Sequence, residues 1–86
     1  LENASEAESE EEQLFARELQ VMIQAAVLQM PPQRQLVYRM SREEGLSNDE
    51  IALRLHISKR TVENHLTAAL AILRKVVYLW LLFTFR

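Results

Sequence analysis

Two helix starts only eleven residues apart, at Ser47 and Ser58, constrain this chain more than any other feature of it. Ser47 stands three residues before Glu50, a capping box in which each side chain satisfies a backbone N–H of the other's turn. Ser58 precedes Lys59, Arg60 and Thr61, and its hydroxyl suits the first unpaired N–H groups of a second helix. Only the link around His56 and Ile57 separates the two helices, so they must cross steeply, as in a helix-turn-helix. Ile51, Ala52 and Leu55 would face inward from the first helix, with Ile57 plugging the turn, and Val62, Leu66, Ala69 and Leu73 would continue the stripe.

The remainder is helical by the same signals. One glycine, two prolines and abundant Leu, Ala, Glu, Gln and Arg favour an all-α fold. Residues 1–9 read as an acidic linker. Ser9 and Glu12 form another capping box, and Phe15, Leu19, Met22, Ile23, Ala26, Val27 and Met30 recur at helical spacing, predicting a helix over residues 10–30. Met30-Pro31-Pro32 stops it, with Pro32 suited to the first turn of the next helix. That helix runs from about Gln33 to Glu44, and Gly45 is placed for a left-handed C-cap. The expected architecture is three helices plus a long recognition helix, winged-helix-like but without a wing, over residues 10–75.

Residues 76–86, VVYLWLLFTFR, form an apolar extension with no polar side. It is shorter than the ~20 residues that span a bilayer, and Arg74 and Lys75 interrupt any longer window. Trp80, Leu81, Leu82, Phe83 and Phe85 are expected either to fold back on the first helix or to enter an interface, including self-association.

Charge is divided. Residues 1–18 hold seven acids and one base (net −6); residues 19–86 hold five acids and nine bases (net +4). A mildly basic body fits nucleic acid, and the acidic segment reads as a solvated helix start and tether or, alternatively, as a cover for the basic face. The absence of cysteine excludes disulfides, thiol nucleophiles and zinc fingers. His56 and His65 lie nine apart with no clustered carboxylates, so no metal site, cofactor or catalytic constellation is implied, and the chain does not read as an enzyme. Beginning with leucine and lacking a signal-peptide n-region, it reads as part of something longer.

With the apolar stripe of the second helix inward, Lys59, Arg60, Glu63, Asn64, Thr67 and Ala68 lie outward. Lysine and arginine suit phosphates, asparagine pairs with adenine, glutamate accepts from cytosine, and threonine bonds a base edge or touches a thymine methyl. Arg42, Arg54, Lys59 and Arg60 supply about four phosphate partners, which predicts weak, salt-sensitive binding to an isolated site. A helical protein-interaction module would show the same stripe.

The succession M-P-P-x-R-x-x-V-Y, S-x-x-E-G-L-S-N-D-E-I-A-x-x-L and I-S-x-x-T-V-x-x-H-L-x-x-A-L-x-x-L-R resembles the C-terminal region 4 of bacterial RNA polymerase sigma factors, from about Leu14 to Lys75. More narrowly, it is similar to the extracytoplasmic-function (ECF) group. The resemblance implies a cytoplasmic domain that recognises the promoter −35 element, docks on the polymerase β-subunit flap and is controlled by an anti-sigma factor. Glu63, Asn64, Thr67 and Ala68 would face bases, and Lys59, Arg60, Thr61 and His65 the backbone. Docking would use an apolar hollow that includes Leu36, Val37 and Met40. The −10-reading region 2 has no counterpart in these 86 residues. His56 occupies a tight turn where the family often has glycine, and histidine tolerates a left-handed backbone better than most residues. The tail is similar to that of ECF factors of the Bacteroidetes group. LuxR-type DNA-binding domains share the E-I-A…I-S-x-x-T-V-x-x-H core, but usually start with L-T-x-R-E where this chain has Met-Pro-Pro.

Overall fold

A computed structural model describes residues 2–85, with side chains from Glu10 onward. The first and last residues of the expected linker and tail, Leu1 and Arg86, and the side chain of Ser9 lie outside that description. The described residues form four helices and no strand: α1 (Glu2–Leu28), α2 (Pro32–Arg42), α3 (Asn48–Leu55) and α4 (Lys59–Thr84).

α4 is the spine, and each of the other helices packs on it. Two clusters follow one another along its inner side. Val37, Met40, Ile51 and Val62 form the first, closed by Leu46, Ala52, Leu55, Ile57 and Leu66. Val27, Met30, Ala69 and Leu73 form the second, closed by Ile23, Ala26 and Tyr38. The inward residues expected for α3 and α4 are thus found in the core.

The turn between α1 and α2 is tied by a residue that periodicity does not single out. The Gln35 side-chain amide donates to the carbonyls of Leu28 (3.2 Å) and Met30 (3.1 Å), satisfying acceptors that the end of α1 leaves open. Gly45 has φ +67°, the left-handed conformation expected of it, and lets the Leu46 N–H return to the Met40 carbonyl at 3.0 Å.

Three expectations change. α1 begins at Glu2 rather than near residue 10, so the backbone has no helix start at Ser9 for a capping box. Glu2, Ala4, Glu6, Ala7 and Glu8 are good helix formers with no proline or glycine to stop them. Residues 76–84 are not a separate piece, because α4 runs unbroken to Thr84.

The third change concerns the acidic segment. Val27 packs beside Ala69 and Leu73, whereas Phe15 meets Trp80 and Phe85, so α1 and α4 are antiparallel. At 1.5 Å per residue, Phe85 lies roughly 39 Å along α4 from Lys59, and the acidic end of α1 reaches beyond Phe85. The acidic run therefore sits at the far end from the basic helix start and does not cover it.

The tail does fold back on α1, with Phe15, Trp80 and Phe85 in a ring cluster at centroid distances of 6.3–6.4 Å. Trp80 is half-buried there, while Leu81, Leu82, Phe83 and Phe85 stay exposed. Joined to the start of α4, the tail completes a helix long and apolar enough to cross a membrane by length and composition alone. Val62 and Ala69 in its first half are fully buried by the other helices, whereas only 11% of its most apolar 18-residue stretch is buried.

Ile51→Ala removes a fully buried side chain and should cost about 2–5 kcal/mol. Leu53→Ala, at a side chain 76% exposed, should stay within about 0.5 kcal/mol. Denaturant unfolding of the two variants distinguishes these outcomes.

Candidate nucleic-acid interface

The interface is built around the link between α3 and α4. At the start of α3, the Glu50 N–H donates to Ser47 Oγ and the Ser47 N–H donates to Glu50 Oε1, both at 3.1 Å. Glu50 is held below the usual glutamate range, first by the Ser47 backbone N–H, then by the Ser47 hydroxyl and by the charge of Arg54.

α3 ends at His56, whose backbone is left-handed at φ 56°, ψ 44°. This sends the chain sharply into Ile57, whose side chain closes the first core cluster and whose N–H returns to the Ala52 carbonyl at 3.1 Å. Ser58 then caps α4, accepting from the Thr61 N–H at 3.0 Å. Both caps and the left-handed turn stand where the sequence placed them.

The eight candidate contact residues divide by their surroundings. Arg60, Glu63, Asn64 and Thr67 are exposed and share the side of α4 opposite Val62, Leu66 and Ala69. This row spans about 10 Å along the helix axis, against a major groove ~12 Å wide. Ala71, also exposed, continues the row one turn further. Lys59 is exposed, but its Nζ lies 3.5 Å from Asp49 Oδ1 of α3. Thr61, His65 and Ala68 are half-buried on the flank.

Two flank residues have intramolecular roles. Thr61 Oγ1 shares a 2.8 Å hydrogen bond with Ser58 Oγ, so its hydroxyl belongs to the helix cap. His65 Nε2 lies 2.9 Å from Gln33 Oε1, so the ring N–H donates to the amide oxygen and ties α4 to the first turn of α2. Gln33 is 32 residues away, and nothing local in the sequence marks the pair.

Of the four expected phosphate partners, Arg54 also approaches an acid, at 3.7 Å from Glu44 Oε1. Arg42 and Arg60 make no ion pair among the described residues. Exposed pairs such as Lys59–Asp49 are worth at most about 1 kcal/mol and yield readily to a phosphate.

Leu36, Val37 and Met40 of α2 also differ from one another. Val37 is fully buried and Met40 nearly so, both in the first core cluster, while Leu36 is 46% exposed. A partner on this face would touch Leu36, with the other two supporting it from behind.

The family model described as sigma-70, region 4 matches residues 20–73, from the second half of α1 through the first half of α4. The chain belongs to this family. No match was found among curated proteins or among solved structures. Sigma region 4 is a DNA-binding, non-catalytic domain of promoter recognition that works with core RNA polymerase, which sets aside a LuxR-type origin for the shared motif. The family span includes every candidate DNA contact and ends at Leu73, short of Arg74, Lys75 and the apolar end of α4.

Two outcomes test the scaffold of this region 4 domain. His56→Gly removes a left-handed penalty of about 1–2 kcal/mol, partly offset by glycine's greater freedom when unfolded, and should stabilise the domain by about 0.5–1 kcal/mol. Because the Glu50 pKa is depressed by folding, its stabilising effect is complete above about pH 4.3 and is lost as pH falls through the lower folded value. Glu50→Gln should flatten that part of the stability–pH curve, measured by urea unfolding in acid buffers.

Proposed function

We propose that this chain is the −35-reading domain of an ECF-group sigma factor, acting in the bacterial cytoplasm to bring RNA polymerase to its promoters. The exposed row Arg60, Glu63, Asn64 and Thr67 carries this reading, since it joins a cation to three groups able to read base edges and lies within the family's matched span. Glu63, Asn64 and Thr67 contact bases, with the half-buried Ala68 at the edge of their row. Lys59 and Arg60 meet phosphates, while Thr61 and His65 hold the edge of the recognition helix in place beside the backbone.

Affinity for DNA alone is low, because about four cations face the groove and two of them lie near acids. Tethering to polymerase supplies the rest. Docking on the β-subunit flap uses Leu36, backed by Val37 and Met40. An anti-sigma factor controls the domain by occupying these same surfaces.

Glu63→Ala and Asn64→Ala should each change the preferred −35 sequence, at about 1–3 kcal/mol per lost base contact. Lys59→Ala and Arg60→Ala should weaken all promoters alike. Transcription by reconstituted holoenzyme on a library of −35 variants reads both effects. An unchanged promoter profile for all four variants would overturn the recognition-helix assignment. Leu36→Glu should separately reduce capture of core polymerase by the full-length protein.

A further inference from the structure

α4 continues past the last residue of the family match, Leu73, to Thr84. Beyond Leu73 it runs along the middle of α1, where Phe15 meets Trp80 and Phe85, and the two helices project as an antiparallel arm from the helix-turn-helix body. α1 covers one side of a segment that is apolar all round. Tyr78, Leu79, Leu81, Leu82, Phe83 and Phe85 are left 39–68% exposed. They open roughly 700 Å² of surface around α4, taking about 200 Å² for each whole side chain. That exceeds the ~300–600 Å² typical of the largest apolar patch on a monomer and approaches the ~800 Å² each partner contributes to a stable interface.

Charges flank this patch on both ends. Arg74 and Lys75 lie about 10 Å from the level of Leu81 on the side nearer the body. The antiparallel register places Glu10 and Glu11 of α1 about 10 Å from the same level on the outer side. All four side chains are exposed and make no ion pair among the described residues. A two-fold axis perpendicular to the helices at Leu81 therefore exchanges the two ends. It brings the acidic pair of each chain level with the basic pair of the other and buries apolar patch against apolar patch.

We propose that the occupant of this patch is a second copy of the chain, paired arm to arm and antiparallel. The interface is isologous and closes on itself, so it yields a dimer and not a filament. The recognition row, on the first half of α4, stays uncovered.

Sedimentation equilibrium of the 86-residue chain tests the pairing directly. The wild type should be dimeric at tens of micromolar. Leu82→Glu should weaken association by about tenfold or more with helicity unchanged by circular dichroism. Arg74→Glu with Lys75→Glu, and separately Glu10→Lys with Glu11→Lys, should each weaken it by about tenfold, and combining all four should restore it. A wild type that stays monomeric throughout overturns the proposal. So does a fourfold variant no tighter than either pair, or an arm that binds anionic phospholipid vesicles without self-association.

Discussion

Burial along one side of α4 is the interaction on which the rest of this structure depends. Val62, Ala69 and Leu73 turn a single stripe inward, and α1, α2 and α3 find their places by covering it. The two core clusters share no buried residue, yet both are anchored on this helix. A side chain opposite the stripe must therefore face solvent, which puts Arg60, Glu63, Asn64 and Thr67 in position with no side-chain hydrogen bond or ion pair to them among the described residues. The surface proposed to read DNA is the by-product of a core.

The sharp link before α4 sets the angle at which that surface is presented. Two serine caps define where α3 and α4 begin, and the left-handed His56 forces the angle between them. Ile57 makes the geometry worthwhile by entering the core immediately after the strained residue. Thr61 and His65, which by position alone could reach DNA, are engaged in stabilising the helix start and its seat on α2. The first turns of α4 are thus divided between an exposed outer row, proposed to read DNA, and a supporting flank.

The far half of α4 obeys the same rule with too few neighbours. Where three helices surround it the stripe is sealed, but where only α1 accompanies it the other sides stay open. The Phe15–Trp80–Phe85 ring cluster closes one side of the arm and no more. This portion of α4 lies beyond the family match, which ends at Leu73.

By itself the sequence determined the features that depend on local spacing. The caps at Ser47 and Ser58, the left-handed Gly45, the break at Pro31-Pro32 and the inward stripes of α3 and α4 all follow from backbone groups and neighbours within one helical turn. The motif order also pointed to sigma region 4, because the helix-turn-helix needs those residue types at those intervals. Only the tertiary structure decided that Gln33 holds His65, that Val37 and Met40 are core while Leu36 is surface, and that the acidic end of α1 lies away from the recognition helix. Each of these depends on which segments meet across the fold. Helical periodicity tells which residues share a face, but whether anything covers that face is settled by packing.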